Sequence, residues 1–280
     1  MAPIHGLKSI GMLLILIIFL CFSTSMGSSQ SFERLTLPAN TTSPVSLAFD
    51  KDDEGPYVIT SDGLVVKHAP NIGFLKMATF KFQRGNKTKQ GLTDACERPR
   101  GMAFNNLGNK IYFADAYDGL FVVRFNSLKK REVPRLAIHL ATSVKGVPLG
   151  FLSGLDVDPK TGMLYLTDAT SVYGLRIQKY WLKGPKANIA ETIYFGHRVA
   201  HPIHIRRTKS GQFWVATNPN LFKNVTVPTA VLIDSSGSFV LKKVSLDDQY
   251  NQSSVSEVQE ALGTRYVGSF GVNYIGAFNM

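Results

Sequence analysis

An all-β fold of the β-propeller class is predicted by three observations: a repeat near fifty residues, short alternating strands within each repeat, and almost no helix signals. Four segments share apolar residues, an acidic or amide position, a Gly-containing turn and then an aromatic-rich strand. They begin at Leu47, Met102, Leu155 and His204, and a weaker copy begins at Glu257. Taking Phe49, Phe104, Val157, Ile205 and Val258 as equivalent gives steps of 55, 53, 48 and 53 residues. Within repeats, Lys110 to Ala114 and Met163 to Thr167 place β-branched and aromatic residues as a pleated, packed surface requires. The best helix candidate, Ser253 to Leu262, reads equally as a strand ending at the Gly263 turn.

The amino terminus has a different character. One cation lies between Met1 and Lys8, Ile10 to Phe22 is unbroken apolar sequence, and Ser25-Met26-Gly27 supplies small residues before a cut. This is the pattern of a secretory signal peptide over residues 1–27, leaving one propeller domain over 28–280. The run is shorter than the roughly 18 apolar residues of a membrane span, and no basic cluster follows to support an uncleaved anchor. No stable membrane span is therefore expected after cleavage.

Secretion constrains the other signals. The net charge of +11 would suggest a nucleic-acid partner in a cytosolic protein, but a secreted chain seldom meets one. The cations are scattered. Lys129-Lys130-Arg131 and Arg206-Arg207 are the tight groups, and both read as solvated surface. Cys21 leaves with the leader, so Cys96 has no partner for an intramolecular disulfide. The sequons at Asn40, Asn86, Asn224 and Asn251 fit a lumenal glycoprotein.

Several runs taken together resemble the strictosidine synthase-like family: Cys96 to Gly101, Ile111 to Tyr117, Leu140 to Val144, Leu155 to Asp158 with Thr161-Gly162, and Tyr180 to Lys186. The resemblance implies a six-bladed propeller of plant secretory compartments, with the vacuole the expected location and the apoplast the alternative. It also implies that about one blade is missing, because only Ala169 to Lys179 separates two strands between which the family carries a further repeat. Five blades remain visible. The expectation is an incomplete ring that fails to close and exposes unpaired strand edges, with a closed five-bladed ring as the alternative.

The resemblance implies an enzyme family condensing an arylethylamine with an aldehyde, in which a glutamate moves protons. Its position falls on Ser256, and a hydroxyl is no proton acceptor near neutral pH without a base of its own. Glu257 is the weak alternative. Strand alternation turns it to the face opposite Ser256 unless a bulge intervenes, so a solvated glutamate is expected. The aromatic pocket positions correspond to Phe151 and Ser153, which reduces stacking surface.

Hydrolytic relatives implied by the resemblance hold calcium, but Val45, Ser153 and Pro202-Ile203-His204 stand at the ligand positions and supply few oxygens. No cofactor or metal is expected. His197, His201 and His204 have a metal-like spacing, yet Pro202 breaks a helix there and no Cys or carboxylate completes a zinc set. Trp181 and Trp214 read as core residues, and Asp115, Asp158 and Asp168 as turn caps. The expected protein is a glycosylated secretory member of the family without synthase activity. The alternatives are a calcium-dependent esterase or lactonase, and a non-catalytic propeller binding a small molecule through Phe151, Ser153 and His204.

Overall fold

The computed structural model describes residues 31–41, 43–79, 99–105, 109–115, 119–124, 143–144, 147–148, 151–168, 176–182, 184–187, 189–195, 201–219 and 226–279. The expected signal peptide, Cys96, His197 and the sequons at Asn86 and Asn224 lie outside these residues, as do positions 169–175, where a blade is expected to be missing.

Alternating apolar residues separated by Gly and Asp turns fold into antiparallel sheets joined in sequence. Strand β1 (Phe32–Thr36) is set aside for the end of the chain. The first blade contains β2 (Pro44–Ala48), β3 (Tyr57–Thr60), β4 (Leu64–Ala69) and β5 (Gly73–Thr79). The second shows β6 (Pro99–Asn105), β7 (Lys110–Asp115) and β8 (Gly119–Arg124). A short ladder of β9 (Ser143–Val144) and β10 (Val147–Pro148) precedes the third blade, which comprises β11 (Leu152–Val157), β12 (Leu164–Asp168), β13 (Arg176–Tyr180) and β14 (Ala190–Phe195). The fourth holds β15 (Pro202–Arg207), β16 (Phe213–Thr217), β17 (Thr229–Ile233) and β18 (Val240–Ser245).

After the one-turn helix α1 (Asp247–Tyr250), the fifth blade is built from β19 (Val255–Ala261), β20 (Thr264–Ser269) and β21 (Tyr274–Asn279). Strand β1 completes it by pairing with β21, Phe32 opposite Phe278 and Thr36 opposite Tyr274. The segment Ser253 to Leu262 is thus mostly strand. α1 is the one helix among the described residues.

The five blades close, contrary to the expected open ring. Each neighbouring pair shares its own apolar cluster. Tyr57 and Ile59 meet Phe104 and Phe113 between the first two blades, and Ala103 and Leu120 meet Leu155 and Leu166 between the next two. Tyr165 packs on Phe213 across the following interface, with ring centroids 4.7 Å apart. Trp214 and Ala216 then meet Val258 and Val267. The fifth cluster joins Ala261 and Ile275 to Leu47 and Val58, which returns to the first blade. Burying apolar area at every interface, at about 25 cal/mol per Å², favours closure over leaving two blade faces wet.

The wider wedge angle of a five-bladed ring is met by small residues near the axis. A Cβ on Gly101 would lie 2.7 Å from the carbonyl oxygen of Ser153, and one on Gly154 would lie 2.5 Å from the Cα of His204. Three strands therefore approach backbone to backbone. Polar clasps tie adjacent blades as well: Thr167 Oγ1 donates to the Ile203 carbonyl at 2.6 Å, and Asn218 exchanges two 2.8 Å hydrogen bonds with the backbone of Val255.

The tryptophans part company. Trp214 is core, as expected, but Trp181 is only partly buried and lies between the ammonium groups of Lys179 and Lys186, 4.9 and 4.8 Å from its ring.

Closure by β1 is open to test. The purified protein is expected to unfold in a single cooperative thermal transition. A chain beginning at Leu37, which exposes the β21 edge, should melt roughly 10 °C or more lower. Equal melting of the two chains would refute closure through β1.

Candidate functional site at the propeller axis

The innermost strand of each blade carries a register break soon after it begins. The breaks lie between Pro44 and Ser46, Pro99 and Gly101, Leu152 and Leu155, Pro202 and His204, and Val255 and Glu257. A bulge inserts an extra residue and re-aims the side chains around it. Five positions are thereby made equivalent: Val45, Arg100, Ser153, Ile203 and Ser256. The next layer is Ser46, Gly101, Gly154, His204 and Glu257.

This register corrects the repeat equivalence drawn from sequence. Ile205 and Val258 align with Leu47, Met102 and Leu155, not with Phe49, Phe104 and Val157, because each lies opposite the matching residue of its neighbouring strand. Arg206 and Glu257 had disturbed the apolar pattern in the last two repeats.

The bulge also reverses the expectation for Glu257. Alternation fails across Ser256, and both residues are fully buried, with 0% exposure each. Glu257 is an axial group rather than a solvated one. Its Oε1 accepts a 2.6 Å hydrogen bond from Arg206 Nε. Its Oε2 accepts from Arg206 Nη2 at 2.8 Å, Ser46 Oγ at 2.6 Å and the Leu47 amide at 2.9 Å.

Arg206, read from sequence as surface, is 2% exposed and spans the axis. Beyond Glu257 it donates to the carbonyls of Leu155 at 2.9 Å and Met102 at 2.7 Å, to that of Leu47, and to Ser46 Oγ at 3.0 Å. Its Nη1 stands 3.5 Å from Asp156 Oδ1. One guanidinium thus touches groups on all the other blades. It was missed because an adjacent Arg-Arg pair, followed by Thr208, Lys209 and Ser210, resembles a solvated strand end.

Burial opposes ionisation of Glu257, but the Arg206 charge and the nearby His204 outweigh it and hold the carboxyl at about 2. Asp156 is shifted the other way, since its burial penalty exceeds the help from Arg206. A carboxyl held this low is a weak base near neutral pH.

The remaining predicted residues surround this pair. His204 is 1% exposed, with Nδ1 3.2 Å from Glu257 Oε2 but not aligned as a hydrogen bond, and Nε2 has no partner. Ser256 Oγ donates to the Pro44 carbonyl at 3.0 Å, and Gly268 packs so closely that a Cβ there would meet that oxygen at 2.7 Å. Ser153 occupies the bulge of β11 and is buried. Phe151 precedes that strand, its amide donating to Asp168 and its ring 5.6 Å from the Arg100 guanidinium. Asp168 therefore positions Phe151, whereas Asp158 caps its turn through the Lys160 amide as expected.

The bulge layer offers two hydroxyls, a guanidinium and two hydrocarbon side chains. A calcium ion wants six to eight oxygens, largely carboxylate, so these residues do not fit one. Among the described residues no group of three His, Cys, Asp or Glu is placed to hold a metal, and no helix is long and apolar enough to cross a membrane.

Comparison with known proteins gives the lineage. No protein-family model matches. Protein STRICTOSIDINE SYNTHASE-LIKE 11 of Arabidopsis thaliana is 32% identical, over 94% of this chain and 96% of its own. The chain belongs to the strictosidine synthase-like family. STRICTOSIDINE SYNTHASE-LIKE 12 of the same plant is 30% identical over 91% and 92% of the two chains. Strictosidine synthase of Catharanthus roseus is 25% identical over 81% and 80%. Solved structures agree on the propeller fold: one described as a gluconolactonase has a TM-score of 0.51 at 11% identity over 90% and 92% of the chains. The WD40 propeller domain of Doa1 scores 0.50 at 13% identity over 90% and 97%.

Two predictions follow from the ion pair of this strictosidine synthase-like chain. Arg206→Met leaves the Glu257 charge buried and alone, and should cost about 3–5 kcal/mol in urea unfolding. Adding Glu257→Gln should recover much of that loss, whereas equal stability of wild type and the single variant would remove the pair from the account. Because the folded-state pKa of Glu257 is depressed from 4.5 to about 2, its contribution is complete above pH 4.5 and is lost as pH falls towards 2. By linkage this amounts to about 3 kcal/mol, partly offset by Asp156, whose raised pKa gives the opposite slope. Unfolding free energies from pH 6 down to pH 2.5 would check the sign, and Glu257→Gln should flatten the curve.

Proposed function

We propose that this protein is a secreted, N-glycosylated and vacuolar strictosidine synthase-like propeller that does not condense amines with aldehydes and instead holds a small ligand without turnover. The observation carrying this reading is the engagement of Glu257: the carboxylate nearest the family's glutamate position is spent on Arg206, Ser46 and the Leu47 amide. The residue at that position, Ser256, is itself buried and bonded to backbone. Ligand retention is supported by the Nε2 of the buried His204, which has no hydrogen-bond partner among the described residues.

The ring is a shortened form of the family's architecture in this reading. Its support is that the match to STRICTOSIDINE SYNTHASE-LIKE 11 extends over 334 positions, more than the 280 residues of the whole chain. Lumenal passage is supported by the apolar leader and by exposed turns at Asn40 and Asn251, where both residues have positive φ.

Incubation of the secreted protein with an arylethylamine and an aldehyde should yield no condensation product above the uncatalysed level. Ser256→Glu should not create one, because Gly268 and the Pro44 carbonyl leave no room for the longer side chain; a clear gain of product would overturn the reading. Glycosidase treatment should increase gel mobility, with a smaller shift after Asn40→Gln and Asn251→Gln. A fluorescent fusion retained in the cytosol would overturn the vacuolar placement.

A further inference from the structure

The start of the inner strands is not the only opening on the axis. Where β2, β6, β11, β15 and β19 end, their last residues surround a cavity of about 300 Å³ on the other side of the Arg206–Glu257 pair. Arg206 and Asp156 form its inner end, Phe49 and Phe104 give it apolar wall, and the turns bearing Asp53, Lys160 and Lys209 reach its rim. At the small end of the usual range for ligand pockets, it suits a compact molecule.

The charges around it are unevenly committed. Every lining acid already has partners. Asp50 accepts the amides of Asp52 and Glu54 and the Tyr57 hydroxyl. Asp53 pairs with Lys209 at 2.9 Å, and Glu260 accepts the Trp214 indole N–H. Asp156 accepts the amides of Val157 and Arg207.

Two of the four lining cations are less occupied. Lys160 has no ion-pair partner among the described residues, and Arg207 reaches Asp158 only at 3.8 Å. On the polar side of the wall, the Oε1 of Gln259 is buried without a partner and can accept one hydrogen bond. The overall charge of +11 adds a long-range field that draws anions.

We propose that this mouth binds a small organic acid with an apolar ring, a carboxylate and one hydrogen-bond donor. The carboxylate meets Lys160 and Arg207, the ring lies against Phe49 and Phe104, and the donor reaches Gln259 Oε1. The site is separate from the Phe151, Ser153 and His204 positions, and it stands or falls independently of whether the protein has synthase activity.

The test uses benzoate, para-hydroxybenzoate and para-hydroxyphenylacetate, with the matching amides as uncharged probes, in titration calorimetry on the intact secreted protein at low salt. At least one acid should bind saturably and about tenfold more tightly than its amide, a difference of about 1.4 kcal/mol. Lys160→Ala, at an exposed turn that the fold does not need, should weaken it about tenfold, and Gln259→Leu should weaken the hydroxylated acids more than benzoate. Phe151→Ala, at the opposite mouth, should change affinity less than twofold. Thermal melts of each variant separate a lost site from a lost fold. The proposal is overturned if no acid binds below about 10 mM, if amides bind as well as acids, if Lys160→Ala binds as wild type, or if Phe151→Ala abolishes binding.

Discussion

The Arg206–Glu257 pair is the constraint on which the rest of the structure depends. In any propeller the innermost strand of each blade is an edge, with a row of backbone N–H and C=O groups facing the axis and no further strand to pair them. Here one guanidinium takes up carbonyls from the first three blades and one carboxylate takes up an amide from the first. Two charges are costly to bury, and isolated ones could not persist. They are tolerated because each satisfies backbone that would otherwise lie dry and unpaired, and because each neutralises the other. The same arrangement that stabilises the ring holds the carboxylate ionised.

Steric complementarity makes that arrangement reachable. Gly101 and Gly154 bring neighbouring backbones so close that no side chain fits between them, and the space on the adjoining strands of the same layer goes to His204 and Glu257. Three small residues, Ser46, Gly101 and Gly154, thus sit together on one side of the layer, and two large ones, His204 and Glu257, fill the other. Either glycine replaced by alanine would push a strand off the axis and lengthen the contacts that Arg206 makes.

Much of the fold was legible in the chain, for a local reason. Strand alternation and a turn every few residues are written in short windows, so Leu47, Met102 and Leu155 could be matched by eye. Closure was not legible, because it rests on faces that meet only in three dimensions, such as Tyr165 on Phe213 or Ala261 on Leu47. At the site, the alternation rule that reads β strands well misplaced Glu257, since a bulge adds one residue and carries the next side chain round. Arg206 was lost to the opposite error: charge usually marks solvent, and nothing local reveals a partner 51 residues away. Ser153, Ser256 and His204 were found because a family pattern singled them out, and the register then placed them in two adjacent layers.

The pairing of β1 with β21 has a consequence for the order in which the molecule can be made. The strand that completes the fifth blade is made before the other described strands, and its partner after them. Four sheets can assemble from neighbouring hairpins during synthesis, while the fifth waits with an open edge until β1 and β21 are both free to meet. The ring is in effect a circle cut inside one blade, so its final step is a loop closure across nearly the whole chain, slow by contact order and dependent on chaperoning of two unpaired edges until it occurs.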